Sequence, residues 1–243
     1  MTPMALVPPL KVSFIIPAHN EERWIGGCLS SIVTAAKHMK ELCEIIVVDD
    51  SSIDQTADIA SKFGVSVVSV KHRQISATRN SGAKAASGDI LVFIDADTLI
   101  TETIVKQILA AIRNGAIGGG CVPRFEGRLP IWFRAFYPVL VGAMRWIFHQ
   151  TGGACLFCSK NGFDQTGGFS EAHFAAEEDV WIRALKRYGR FVVLTEPVVT
   201  SGRSLRTYSF KNVAWVFLRW TFRGADGFRS RDNAKLWYPS QRE

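Results

Sequence analysis

Ser87-Gly-Asp-Ile-Leu-Val-Phe-Ile-Asp-Ala-Asp97 carries a continuous apolar run, Ile90–Ile94, that breaks off into two carboxylates. A run with no polar alternation is what a strand buried on both faces requires, and it predicts a parallel strand inside an α/β sheet. Three short β-branched runs precede it, Val12–Ile16, Ile45–Val48 and Val65–Val70, the first and last interrupted by serine. Between them lie Glu21–Lys37, Asp54–Phe63 and Ser76–Ala86, each long enough for a crossover helix. The alternation predicts a Rossmann-like, mainly parallel sheet with helices on both faces. Local marks agree: Ser52-Ile-Asp-Gln55 has capping-box spacing, Glu21 and Glu22 suit the positive end of a first turn, and Gly64 suits a helix C-terminus.

The 243 residues are 47% hydrophobic and 21% charged, which excludes a disordered chain, a collagen and a coiled coil and favours one large domain. The formal charge of +7 is concentrated at the end, because residues 203–243 hold 9 Lys/Arg against 3 Asp/Glu. Such a basic tail faces either solvent or phosphates. Five cysteines, an odd number, read as buried thiols of a reducing compartment, and the lone Cys155-Leu-Phe-Cys158 lacks the second pair that a zinc site needs. The first ten residues lack a basic n-region, and the longest uncharged, strongly apolar run, Ala135–Met144, is too short to span a bilayer. A cytoplasmic protein without a membrane span is expected.

In an open α/β sheet, ligands bind outside the carboxyl ends of the strands. Three predicted strands run into polar turns there: Pro17-Ala-His-Asn-Glu21, Asp49-Asp50-Ser51-Ser52 and Asp95-Ala-Asp97. Two carboxylates two residues apart offer hard oxygen ligands that suit Mg²⁺ or Mn²⁺ against a diphosphate. Asp49 or Asp50 suits the imide and ribose of a nucleotide, and Arg79 offers a planar fork of donors to phosphate. Each of these also reads, in isolation, as a helix cap, a turn or a surface charge.

Order and context decide between the readings. Pro17-Ala-His-Asn-Glu21, Val47-Val-Asp-Asp-Ser-Ser-Ile-Asp54-Gln-Thr56, Ala77-Thr-Arg-Asn-Ser-Gly82 and Ser87 to Asp97, in that order, resemble the family 2 inverting glycosyltransferases of the GT-A fold. The resemblance covers about residues 10–200. It implies a nucleotide-binding half at 10–113, an acceptor half at 114–203, and a basic aromatic segment at 204–243. It makes Pro17, Ala18, Glu21, Asp49, Asp50, Arg79, Asp95 and Ala96 nucleotide-binding, and Asp95 and Asp97 the metal-binding pair with Asp97 the direct ligand. Ser51 stands where the family usually has glycine, and Thr78 lengthens its usual Ala-Arg-Asn.

Downstream, Gly152-Gly-Ala-Cys-Leu-Phe157, Phe163-Asp-Gln-Thr-Gly-Gly-Phe169 and Glu177-Glu-Asp-Val-Trp-Ile-Arg183 resemble the acceptor half: a strand, a glycine-rich turn and a helix opening on acids. The resemblance implies Asp179 as general base, with Glu178 beside it shaping the site. It implies a nucleoside-diphosphate sugar donor, a sugar or lipid-linked acceptor, a divalent metal and inversion. His19 lies in the nucleotide turn, and Arg203 follows the strand Phe191–Leu194 and an extended Pro197 segment, within reach of a diphosphate.

In Tyr208–Phe222 the apolar Val213, Val216, Phe217 and Trp220 recur at helical spacing, with Lys211, Arg219 and Arg223 in one sector. This basic amphipathic helix docks either on the protein's own core or at the inner membrane surface, and the aromatic stretch Ile131–Phe148 can extend such a surface. A nucleotidyltransferase lacks support because no glycine-rich phosphate loop follows Val12–Ile16, and a nucleic-acid binder leaves the acids unexplained. A catalytically silent nucleotide-sugar module is the remaining alternative.

Overall fold

The computed structural model describes residues 10–37, 39, 41–127, 129–142, 145, 150–203, 215, 219, 222–230 and 232. The first part of the chain alternates β1 (Lys11–Ala18), α1 (Ile25–Ala36), β2 (Leu42–Asp50), α2 (Thr56–Lys62), β3 (Ser66–Val70), α3 (Ile75–Ala85) and β4 (Ile90–Ile94). Strands β1 to β4 are mutually parallel, in the order β3-β2-β1-β4. The strands and helices expected between Val12 and Ile94 are all present. Helix α1 begins at Ile25, four residues after the expected start. The Glu21 N–H is taken by Thr56 Oγ1 at 2.7 Å, which holds that residue in the turn, so neither Glu21 nor Glu22 lies in the first turn. The capping box does not form either: the Asp54 carboxylate accepts from Thr56 N at 3.0 Å, while Ser52 Oγ accepts from Asn20 N. Gly64 takes a left-handed φ of 69° at the end of α2, as its position predicted.

The continuous apolar runs follow from burial on two sides. Along β1, Val12, Phe14 and Ile16 share a cluster with Ile25, Leu29 and Ile32 of α1 and with Ile104 and Ile108, whereas Ile15 faces the α3 side. Along β4, Ile90, Val92 and Ile94 join the first layer, and Leu91 and Phe93 the second. Helix α3 lies close against the sheet at Gly82, where a Cβ would stand 2.3 Å from Ile15 Cγ2.

After β4 the chain makes β5 (Thr98–Leu99), α4 (Glu102–Arg113), β6 (Ala116–Gly120), β7 (Pro123–Glu126), α5 (Ile131–Gly142), β8 (Cys155–Ser159), α6 (Lys160–Thr166), α7 (Glu177–Leu185), β9 (Arg190–Val193) and β10 (Val198–Ser201). Strand β8 inserts antiparallel between β4 and β6, completing a seven-stranded sheet in the order β3-β2-β1-β4-β8-β6-β9. Strands β5, β10 and β7 form a separate small sheet. Phe93, Phe163, Phe169 and Trp181 pack under β8, with the Phe169 and Trp181 ring centroids 4.3 Å apart. Burying each such ring contributes about 1.5–3 kcal/mol.

Cys28, Cys121, Cys155 and Cys158 are buried free thiols, and Cys43 is exposed. No helix among the described residues is long and apolar enough to cross a membrane. The expected helix Tyr208–Phe222 falls almost wholly outside the described residues, as does the end of the aromatic stretch beyond Gly142.

Candidate active site

The carboxyl ends of β1, β2 and β4 share one edge, and Ala18 stands in register beside Asp49. Pro17 lies past the last β1–β4 register pair, Ile15 with Phe93, so its missing N–H removes no bond to β4. Ser51 adopts a left-handed φ of 59°, the conformation glycine supplies most readily. The two preceding acids are the last residues of β2, so they point to opposite faces of the sheet. Asp50 accepts from His72 N at 2.8 Å, Gln74 N at 3.2 Å and Thr78 Oγ1 at 2.9 Å, and so ties β2 to the start of α3. Asp49 is buried, and its Oδ1 has no hydrogen-bond partner among the described residues. Of the two expected nucleotide-binding acids, Asp49 keeps an acceptor for a ligand, and the added Thr78 serves the internal Asp50 network.

Asp95 and Asp97 occupy the turn after β4, with Ala96 buried between them. The turn is pinned by Asp95 N donating to Ala154 O at 3.1 Å and Thr98 N donating to Asp95 O at 2.9 Å. Strand β5 then pairs antiparallel with β10, setting Thr98 opposite Thr200. That pairing delivers two groups to Asp97: Thr200 Oγ1 at 3.3 Å and Arg203 Nη2 at 3.4 Å. Arg203 also reaches Glu21 Oε1 at 2.5 Å and lies over the Trp24 ring. Burial pushes the Asp97 carboxyl up to about 6; Arg203 opposes the rise, while Asp95 and Glu21 add to it.

Among the described residues no group of three or more His, Cys, Asp or Glu side chains is arranged to hold a cation. Two hard carboxylates nonetheless fit a Mg²⁺ or Mn²⁺ that completes its shell with water and donor phosphate oxygens, as Mg²⁺ commonly does. Burial is the main cause of the rise at Asp97, and the smaller part contributed by the Asp95 and Glu21 charges is what a divalent ion would relieve.

Arg79 lies beneath this turn and is 2% exposed. Its Nη2 contacts Asp95 Oδ1 at 2.9 Å and Gly153 O at 3.1 Å, and its Nη1 contacts Glu177 Oε1 at 2.9 Å. The guanidinium is therefore engaged with protein groups. It joins the metal-binding candidate to the first turn of α7 rather than presenting an open fork to solvent.

That first turn carries Glu177, Glu178 and Asp179, an arrangement favoured by the positive end of the helix. It begins sharply because Ala176 adopts a left-handed φ of 58°. Glu177 and Asp179 are both buried. Burial pushes Glu177 up to about 8, the Glu178 charge adds to the rise, and Arg79 pulls against both; burial raises Glu178 as well. Asp179 accepts from Gln150 Nε2 and pairs with Arg183 at 2.9 Å. Glu177 and Gln150 are contributors that motif reading passes over. Glu177 was visible only as one of three adjacent acids, and Gln150 carries no local signal, since its relation to Asp179 is created by the return of the chain.

A mainly parallel sheet with polar turns along one carboxyl edge and an acid pair after the fourth strand defines a GT-A type fold. The glycosyl transferase family 2 model matches residues 13–177, and the chain belongs to that family. It is 35% identical over 140 residues to a dolichol-phosphate mannosyltransferase of Pyrococcus furiosus, covering 54% of this chain and 38% of that one. It is 34% identical over 125 residues to the probable glycosyltransferase YdaM of Bacillus subtilis, covering 48% and 30%. The chain thus spans about a third of the length of these relatives. Among solved structures, the mannosyltransferase PcManGT of Pyrobaculum calidifontis, in complex with GDP-Man and Mn²⁺, superposes with a TM-score of 0.67 at 20% identity, covering 87% of this chain and 61% of that one. The UDP complex of S. aureus TarS residues 1–349 gives 0.62 at 22% identity, covering 79% and 60%.

Proposed function

We propose that this protein transfers a sugar from a nucleoside-diphosphate sugar to an acceptor hydroxyl with inversion, using a divalent metal and Asp179 as general base. One observation carries the reading: Arg79 bridges Asp95, in the turn after β4, to Glu177, in the acidic turn of α7, at 2.9 Å on each side. Donor and acceptor chemistry need these two acid groups on neighbouring walls of one site. The family membership and the Mn²⁺ and GDP-Man bound by PcManGT support the donor class.

In this reading Asp49 accepts from the nucleobase, Pro17, Ala18 and Glu21 wall the nucleotide, and Asp97 with Asp95 holds the metal. A divalent ion held by Asp95 and Asp97 would supply positive charge to the departing diphosphate. Arg203 is placed to turn from Asp97 toward that diphosphate, adding a cation where charge grows. A sugar hydroxyl is a weak nucleophile, so Asp179 takes its proton as the new bond forms, while Gln150 and Arg183 orient the carboxylate. Attack on the face opposite the departing diphosphate inverts the anomeric centre.

The buried thiols fit a reducing, cytoplasmic compartment. The exposed Ile131, Val139 and Phe222, with the basic end of the chain, fit peripheral contact with a lipid surface that would present a lipid-linked acceptor. The test is thermal unfolding with UDP, GDP, CDP, dTDP and ADP, each with Mn²⁺, with Mg²⁺ or with EDTA. One nucleotide should stabilise by about 2.7 kcal/mol at 100 times its Kd, and EDTA should remove the effect. No shift with any of the five would overturn the reading.

A further inference from the structure

Residues 170–176, which lead into α7, have no repetitive structure and are held from two sides. On one side, Gln74 Nε2 at the start of α3 donates to Glu171 O at 2.8 Å and to His173 O at 3.2 Å. On the other side stands the 3-10 turn Gly224–Phe228. Phe174 N donates to Phe228 O at 2.9 Å, and the Phe228 ring, 1% exposed, packs on the fully buried Ala175 and on Phe174 and Ala176. His173 Nδ1 meets Ser170 Oγ at 2.9 Å, and its Nε2 faces Asp226 at 3.5 Å. Arg219 Nε donates to Gly227 O at 2.6 Å and Arg229 Nε to Asp226 at 2.8 Å, so the turn is itself braced.

A non-glycine residue persists in the left-handed region only where its surroundings over-determine it. Ala176 is such a residue, and it immediately precedes Glu177. We propose that Phe228 is a positioning residue for the acids of α7: its ring and carbonyl hold residues 174–176 so that Ala176 keeps its turn and Glu178 and Asp179 keep their places. The inference rests on the reading of those acids as the acceptor side of the site. Phe228 lies outside the stretch matched by the family model, residues 13–177, so the brace is a contribution of this chain's later segment.

The test uses the full chain and the variants Phe228→Ala and Phe228→Leu. Amide hydrogen exchange is followed through residues 174–180, UDP and GDP binding with Mn²⁺ by calorimetry, and turnover with UDP-N-acetylglucosamine and GDP-mannose. Phe228→Ala should speed exchange at 174–180 and lower kcat by about 100-fold, the scale of a misplacement of roughly 1 Å, with nucleotide Kd changed by less than about threefold. Phe228→Leu should restore most of both losses. Unchanged exchange and kcat, or exchange accelerated equally in β1 and β4, would overturn the proposal. If Phe228→Ala does not fold, Phe228→Leu and Phe228→Val must still give a graded loss of kcat at constant Kd. If the unaltered protein is stabilised by none of the five nucleotides of the thermal test, the glycosyltransferase reading fails, while the exchange measurement still decides whether Phe228 holds the acids.

Discussion

Strands β1 to β4 are parallel, and β1, β2 and β4 each deliver a polar turn to the site through the βαβ rhythm alone. The second half works differently: β8 enters antiparallel between β4 and β6, and β10 pairs with β5 across about a hundred residues of sequence. In residues 10–113 the acids sit at strand ends. In residues 114–203 they sit on a helix whose start depends on a left-handed alanine and on long-range partners. The carboxyl edge of β1, β2 and β4 is thus built by local order, and the acidic turn of α7 by tertiary closure. Arg79 belongs to the first half and binds both.

The contrast is broken most severely at Asp179. Asp179→Asn should lower turnover by about 10²–10⁴-fold, the usual range for a lost general base, while calorimetry finds nucleotide and metal binding unchanged. Equal loss of binding and turnover would show that the two walls do not separate. If Glu178→Gln rather than Asp179→Asn abolishes turnover, the base is the neighbouring acid instead. The link between the halves is tested by Arg79→Met, which leaves Glu177 and Asp95 without their shared cation. Breaking a buried pair costs about 3–5 kcal/mol, so urea unfolding should report a loss near the lower end, Asp95 being partly exposed. A loss under about 1 kcal/mol, the value of a surface pair, would mean that the guanidinium does not couple them.

The smallest effect is expected at the far end of the sheet. There Glu44 accepts from Ser13 Oγ at 2.5 Å and from Ser87 N at 2.7 Å, and lies 3.3 Å from Lys11. Burial raises this carboxyl, but the hydrogen bonds from Ser13, Ser87 and Lys11 outweigh it and hold it at about 2, below the ordinary 4.5. A depressed carboxylate stabilises the fold fully above its unfolded value and loses that contribution as pH falls from 4.5 toward 2. Glu44→Gln should therefore reduce stability slightly at pH 7, with the difference from the unaltered protein closing across that window. A difference that persists unchanged at pH 2 would assign the effect to packing.

What the sequence by itself determined is the part that short-range physics encodes. Runs such as Ile90–Ile94 had to be strands buried on both faces, the intervening segments had to be crossover helices, and the polar turns after β1, β2 and β4 had to share an edge. The motifs named the acids of that edge and of α7. The sequence could not say which member of a pair faces a ligand: Asp49 and Asp50 are equivalent as letters, and only their opposite faces at the end of β2 and the donors of His72, Gln74 and Thr78 separate them. Nor could it assign Arg79 to Asp95 and Glu177, Gln150 to Asp179, or Phe228 to Phe174 and Ala175. Apolar periodicity and turn chemistry act over a few residues and leave their mark in order and spacing. Contacts across scores of residues depend on how strands return, and only the tertiary structure decides them.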